Sequence, residues 1–300
     1  MSCILTTCNR PPNIFIRALK SIFSQTYKNI EVIVINDSPD SKYCHEISNI
    51  ISHYRAIVPY PLFYLVNRVN KGANYSRNKG IKYSHGEFIA FLDDDDEWLC
   101  NKISTVVNSF AESDAGLVYS DYRRITLDKK TINVYKAHRR GYVFNELLAH
   151  NIIGPTSGVV IRQECLNQCG LFDPLLPARQ DYDLWIRITQ QYKVLHINQP
   201  LYIYHDSIES ISTNINRRIQ GRDLVLKKYS QLYHQNKVAY KYTLIEYYYE
   251  MLLNMKIGIA LKIFVRLFVK CNLSVYECLS LFNLLFKALK KETLEIREYY

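Results

Sequence analysis

The chain has 300 residues, 48% of them hydrophobic and 22% charged, a balance that suits one catalytic domain with a sizeable core plus a smaller unit. The formal net charge of +10 favours anionic partners, but no RNA-recognition motif accompanies it, so no nucleic-acid partner is expected. The eight cysteines form no Cys-x-x-Cys pair and no zinc spacing, and they read as reduced thiols of a cytoplasmic protein.

The first strand runs from Cys3 to Thr6, and neither a secretory signal nor an N-terminal membrane anchor is expected ahead of it. It breaks at Asn9-Arg10-Pro11-Pro12 into a helix whose apolar positions Phe15, Leu19, Ile22 and Phe23 follow helical spacing. A second strand, Ile30 to Ile35, stops at Asn36-Asp37-Ser38-Pro39. Strand, helix and strand make a right-handed βαβ unit, so both strand ends fall on one edge of a parallel sheet. A carboxylate at Asp37 is placed to accept a hydrogen bond from a nucleobase N–H or a ribose hydroxyl; an Asx-turn explains the same residue equally well.

A strand-like run at Leu62 to Val66 precedes Asn70-Lys71-Gly72, where a helix starts that ends near Gly86 and carries Arg77 and Lys79. Both cations are candidates to pair with phosphate or with the next motif. That motif is Phe88-Ile89-Ala90-Phe91-Leu92 running into four adjacent carboxylates, Asp93 to Asp96. The apolar run reads as a buried parallel strand, but four consecutive aspartates repel one another unless positive charge sits among them. Oxygen-only ligands at a strand's C-terminal end suit Mg²⁺ or Mn²⁺ with positions left for phosphate oxygens. The alternative for such a run is a solvated acidic turn. No Gly-x-Gly-x-x-Gly or P-loop pattern occurs, so phosphates would be held by metal and side chains.

Beyond about residue 216 glycine and proline nearly vanish and apolar residues recur at helical spacing. Lys262, Arg266 and Lys270 follow at i+4 steps with Ile263, Phe264, Leu267 and Phe268 between them. Two readings stay open: a helix lying on an anionic membrane surface, or one packed on the catalytic domain with its cations in solvent. No uninterrupted apolar stretch approaches the length of a bilayer span.

Five segments in one order resemble glycosyltransferase family 2. They are Ile4 to Arg10, Glu31 to Ser38, Ser76-Arg77-Asn78, Gly86 to Trp98, and Asp181-Tyr182-Asp183-Leu184-Trp185-Ile186-Arg187. The resemblance covers residues 1–215 and implies an inverting enzyme with the GT-A fold, an α/β Rossmann-like, mostly parallel sheet with flanking helices. Residues 216–300 form a helical C-terminal region in this reading. The resemblance implies that Thr6 and Asp37 contact the nucleoside and that Arg77 approaches the base or diphosphate. It makes Asp93-x-Asp95 the Asp-x-Asp motif, with Asp95 on the metal and Asp93 and Asp94 reaching the ribose or a metal-bound water.

It also assigns Asp181 as the base that deprotonates the acceptor hydroxyl. Asp183 is the competitor, although its i+2 position faces another side and suits a helix N-terminus. The family's common Glu-Asp is here Gln180-Asp181, and Cys8 stands where an aromatic residue often stacks on the base. His205, after the last strand, is a candidate to complete the metal shell or touch the diphosphate, and Asp121 is a candidate to support the site from behind. Gly170-Leu171-Phe172-Asp173 resembles a structural turn of the family.

The expected activity is a Mn²⁺- or Mg²⁺-dependent transfer from a nucleotide-sugar donor to a saccharide hydroxyl on a polyprenyl-diphosphate lipid, in surface-polysaccharide assembly. UDP is the nucleotide the family favours, with dTDP and GDP open. The rivals are a nucleotidyl- or phosphotransferase, in which Asp181 would lack a role, and a non-enzymatic basic membrane binder.

Overall fold

A computed structural model describes residues 1–135, 138–207 and 214–289. The chain begins β1 (Ser2–Thr7), α1 (Pro12–Phe23), β2 (Glu31–Asn36), α2 (Cys44–Arg55), β3 (Leu62–Val66), α3 (Ala73–Tyr83) and β4 (Phe88–Asp93). It continues with β5 (Glu97–Trp98), α4 (Lys102–Ala111), β6 (Leu117–Ile125), β7 (Thr131–Val134), β8 (Arg140–Gly141) and α5 (Phe144–Ala149). After these come β9 (Val159–Arg162), α6 (Gln163–Cys169), α7 (Gln180–Thr189) and β10 (Val194–His205). The helices α8 (Ile215–Lys228), α9 (Ser230–Gln235), α10 (Lys237–Leu253), α11 (Ile257–Lys270) and α12 (Val275–Leu289) close the described chain, and residues 290–300 of the expected helical region lie outside it.

One sheet runs in the order β3-β2-β1-β4-β9-β6-β10-β5, with β7 on β6 and β8 on β10. The half made of β3, β2, β1 and β4 is parallel, as the βαβ reading requires. β9 then enters antiparallel to both β4 and β6, and β10 returns parallel to β6. The sheet is therefore parallel through β4 and mixed beyond it.

Both faces of the parallel half are buried, which explains its continuous apolar runs. Ile4, Ile33, Ile35, Ile89 and Phe91 belong to one buried cluster, while Cys3, Leu5, Val32, Val34, Ala90 and Leu92 belong to the other. The alternation along each strand sends neighbouring residues to opposite clusters. Phe15, Ala18, Leu19 and Ile22 of α1 cover the second cluster, and the Pro11-Pro12 pair starts that helix with proline in its first turn. α3 lies close against the opposite face. A Cβ on Gly80 would stand 2.6 Å from Ile4 Cγ2 and 2.9 Å from Ile35 Cδ1, so only glycine allows this approach.

The C-terminal helices are not a detached unit. Leu244, Tyr248, Met251 and Leu252 of α10 share the first cluster with Leu147, Leu148 and Trp185 of α5 and α7. Polar ties reinforce the packing: the Tyr233 hydroxyl donates to Leu148 O at 3.2 Å, and the Thr243 hydroxyl donates to Leu148 O and Ala149 O at 3.1 Å each. The outer side of the last two helices is left apolar and exposed, at residues such as Val265, Phe268, Leu279 and Phe282. No helix of the described residues is long and apolar enough to cross a membrane.

Candidate active site

Pairing of β1 with β4 sets Thr6 opposite Asp93, and pairing of β1 with β2 sets Thr7 opposite Asn36. The strand ends therefore emerge on one edge, where open α/β sheets bind ligands. A cleft of about 1100 Å³ opens there, and its wall includes Thr6, Asp37, Arg77, Asp93, Asp94, Asp95 and Asp181. Lys79, Asp121, Asp183 and His205, also considered for the site from sequence, do not line that wall.

The acidic turn is under-neutralised. Asp93 accepts from Arg77 Nη2 at 2.5 Å, Asp94 from Arg10 Nε at 2.8 Å, and Asp95 from Arg10 Nη2 at 3.0 Å. Arg17 Nη2 also donates to the Asp95 carbonyl at 2.5 Å. Burial still raises the Asp94 carboxyl to about 6 against the pull of Arg10, and burial likewise raises Asp95 and, further, the enclosed Asp96. These are the marks of carboxylates crowded together with too little positive charge.

Among the described residues no three His, Cys, Asp or Glu side chains form a ready metal shell, since the aspartates are drawn onto arginines. The donor set itself fits a hard divalent cation: carboxylate oxygens at a strand end, facing a cleft, with excess negative charge. Asp93 and Asp95 would hold such an ion, and it would supply charge neutralisation for a diphosphate leaving group.

His205 lies outside the cleft wall, against Glu97. Antiparallel pairing of β5 with β10 sets Ile203 opposite Glu97 and brings His205 Nε2 within 2.6 Å of Glu97 Oε1. The hydrogen bond from His205, together with Arg17, lowers the Glu97 carboxyl. The His205 N–H donates to Asp96 at 3.2 Å, so the residue braces the back of the acidic turn.

Asp37 faces the cleft while holding the loop that starts α3. Its carboxylate accepts from Asn67 Nδ2 at 2.7 Å, from the Lys71 N–H at 2.8 Å and from the Gly72 N–H at 2.6 Å. Gly72 adopts φ +87°, the left-handed region that glycine enters without strain. The Asx-type bond of this segment belongs to Asn36, whose Oδ1 accepts from the Ser38 N–H at 3.0 Å. Cys8, at the expected stacking position, is exposed and accepts from Asn70 Nδ2 at 3.2 Å.

Arg77 is 6% exposed, and its Nε and Nη1 are buried without a hydrogen-bond partner. Buried guanidinium groups are ordinarily satisfied, so two spare donors on a cleft wall point to an anion. Its cation lies 5.5 Å from the Phe172 ring centre. The Gly170–Asp173 turn is what supports it, because Asn78 exchanges hydrogen bonds with the Phe172 backbone and Asn74 donates to Asp173 O and Leu176 O. Lys79 does not reach the aspartates; its ammonium donates to Asn67 Oδ1 at 2.9 Å and to Val66 O.

Asp181 is the second residue of α7, and its Oδ1 accepts from the Tyr182 N–H at 2.8 Å. Burial raises its carboxyl above the ordinary 3.8, opposed by Arg77 and Arg179. Its competitor is spoken for: Asp183 is fully buried and bound by Arg187 at 3.0 Å, Lys228 at 2.7 Å and the Tyr229 hydroxyl at 2.8 Å. Gln180 joins Asp181 in the cleft wall. Asp121 does not, and it sits in the core 2.9 Å from His196 Nε2.

The cleft wall also includes residues that no sequence motif marked for the site, among them Arg10, Arg179, Asn214, Arg217 and Arg218. Arg10 sits beside the Pro11-Pro12 pair, a local signal. Arg217 and Arg218 were visible only as charge, because they reach the cleft through the packing of α8.

This mixed sheet, with acidic strand ends facing a helix-borne aspartate across one cleft, is the GT-A architecture of glycosyltransferases. The chain belongs to glycosyl transferase family 2, whose model matches residues 2–172. The putative colanic acid biosynthesis glycosyl transferase WcaA of Escherichia coli K12 is 30% identical over 230 residues, 71% of this chain and 76% of that one. The E. coli UDP-Glc:alpha-D-GlcNAc-diphosphoundecaprenol beta-1,3-glucosyltransferase WfgD is 28% identical over 232 residues, covering 77% and 85% of the two chains. Among solved structures, S. aureus TarS 1-349 in complex with UDP matches with a TM-score of 0.57 at 13% identity, over 99% of this chain and 94% of that one. A longer TarS structure matches at 0.58 and 18% identity, with this chain spanning 39% of it. At such identities the structures speak to the fold alone.

Proposed function

We propose that this glycosyltransferase moves a sugar, with inversion, from a nucleotide-diphosphate donor to a hydroxyl of a lipid-linked saccharide during surface-polysaccharide assembly. The observation that carries the reading is the presence of Asp181 on the same cleft wall as Arg77 and the Asp93–Asp95 turn. An inverting displacement needs a donor-binding charge cluster and, opposite it, a base for the incoming hydroxyl.

In this mechanism the spare Nε and Nη1 of Arg77 donate to the donor's diphosphate, and Thr6 and Asp37 border the nucleoside. Arg10 fixes the side chains of Asp94 and Asp95, and Arg17 the Asp95 carbonyl, before donor arrives. Asp181 takes the proton of the acceptor hydroxyl as that oxygen attacks the anomeric carbon. Mn²⁺ or Mg²⁺ on Asp93 and Asp95 is the cofactor the donor set supports, and UDP is the nucleotide that WfgD's name supports. The same name supports a polyprenyl-diphosphate-linked acceptor, and WcaA's supports a polysaccharide pathway.

We further place the protein on the inner face of the cytoplasmic membrane as a peripheral protein. Support comes from α11, where Lys262, Arg266 and Lys270 stand exposed beside exposed Leu261, Val265, Phe268 and Val269. An apolar strip flanked by cations suits the interface of an anionic bilayer.

The test is a panel of UDP-, dTDP- and GDP-sugars incubated with protein and Mn²⁺. Release of nucleoside diphosphate supports the reading. Release of inorganic diphosphate would replace it with nucleotidyl transfer.

A further inference from the structure

Arginines line the cleft at both of its ends, and the donor reading uses only those at one. At the sheet edge, Arg10 and Arg77 face the aspartates. At the helical end, Arg179, Arg217 and Arg218 line the wall. We propose that these three arginines form a second anion subsite that takes the diphosphate of a lipid-diphosphate-linked acceptor. The proposal rests on the donor reading above and deepens it.

The helical end is built around one carboxylate. Glu250 of α10 receives Arg179 at 3.1 Å, Arg218 at 2.7 Å and Arg222 at 2.7 Å. Arg222 is enclosed and also pairs with Glu246 at 3.1 Å, so it serves the interior. Arg179 and Arg218 reach the cleft and share Glu250, and the Nε of Arg179 is buried with no hydrogen-bond partner. Arg217, exposed on the same wall, makes no ion pair among the described residues. The fold thus gathers more guanidinium groups than its own carboxylates neutralise. Guanidinium forks match phosphate oxygens two by two, which makes a diphosphate the fitting counter-charge.

The position relative to Asp181 assigns this anion to the acceptor. Arg179 caps α7 two residues before Asp181, in a left-handed conformation (φ +62°) that a non-glycine residue rarely adopts. The Asp181 carboxyl feels Arg77 from the donor end and Arg179 from the helical end. A base that faces the acceptor hydroxyl has the acceptor beyond it, so a phosphate group next to Arg179 belongs to the acceptor.

Farnesyl diphosphate is a sugar-free probe for this subsite, with farnesol as its uncharged control. Both are titrated calorimetrically into protein saturated with UDP and Mn²⁺. Farnesyl diphosphate should bind and farnesol should not. Arg217→Glu and Arg218→Ala should each weaken the diphosphate roughly tenfold or more, as loss of a charge-assisted phosphate contact does, while UDP affinity is unchanged. Arg217→Glu guards against misfolding, because Arg217 supports no ion pair of the described fold. Displacement of UDP by farnesyl diphosphate, an equal loss of UDP affinity in the variants, or undiminished farnesyl diphosphate binding would each overturn the proposal. If UDP failed to bind the unmutated protein, the donor reading would fall and this proposal with it.

Discussion

Asp95 is held in the turn by Arg10 through its side chain and by Arg17 through its carbonyl, so its carboxylate can be removed without dismantling the turn. Asp95→Ala should abolish Mn²⁺- or Mg²⁺-dependent donor binding and turnover while the far-UV spectrum and melting temperature stay near those of the parent. Full activity of this variant, or of the parent in excess chelator, would remove the metal from the account. The second residue-scale expectation concerns pH. Asp181 must be ionised to act as a base, and burial raises its carboxyl above 3.8. The acid limb of kcat/KM for the acceptor should therefore lie above the ordinary aspartate range, with activity lost as pH falls through the raised value. A limb at or below 3.8 would separate the rate from this group.

At the scale of elements, α3 is the device that delivers Arg77, and its seat on the sheet depends on Gly80. In an open helix, glycine to alanine would add about 1 kcal/mol of stability. Here the new Cβ meets buried Ile4 and Ile35, so that gain should vanish, and Gly80→Val should cost about 1–3 kcal/mol in urea unfolding as overpacking does. An unchanged unfolding midpoint would show that α3 can shift freely. The other element with its own prediction is α11. Replacing Lys262, Arg266 and Lys270 with glutamine should lower partitioning onto anionic vesicles by about 1 kcal/mol per charge, most visibly at low salt. Arg266 gives the smallest part of this effect, because its guanidinium is also stacked 5.2 Å from the Tyr240 ring. Unchanged partitioning would leave α11 as a helix whose cations merely face water.

For the whole molecule, what the sequence revealed follows what local chain chemistry controls. The strand ends at Thr6, Asp37 and Asp93 were legible because a βαβ unit fixes which edge they share, and the aspartate run was legible because no ordinary strand ends that way. The contact of His205 was not legible, because its partner, Glu97, is chosen by the pairing of β5 with β10, across more than a hundred residues of chain. Arg179, Arg217 and Arg218 went unassigned for the same reason, since the meeting of Arg179 and Arg218 at Glu250, and the place of Arg217 on the cleft wall, depend on how α8 and α10 dock. The change of composition near residue 216 was legible, whereas the buried cluster that α10 shares with α5 and α7 was not, because it depends on contacts far apart in the chain. A chain ending at Asn214 would uncover Leu148, which Tyr233 and Thr243 contact, and should lose cooperative thermal unfolding and solubility; a truncated protein that melts like the parent would contradict the shared core.

The central claim is that one cleft holds a donor at the acidic turn and a base at Asp181, and Asp181→Asn tests it most directly. The amide keeps the size of the side chain and a hydrogen-bond acceptor for the Tyr182 N–H, but it cannot take the acceptor proton. The account predicts that donor affinity measured by calorimetry survives while turnover falls by roughly two to four orders of magnitude, the usual contribution of a general base. Loss of donor affinity with an unchanged rate per bound donor would contradict it and make Asp181 a binding residue.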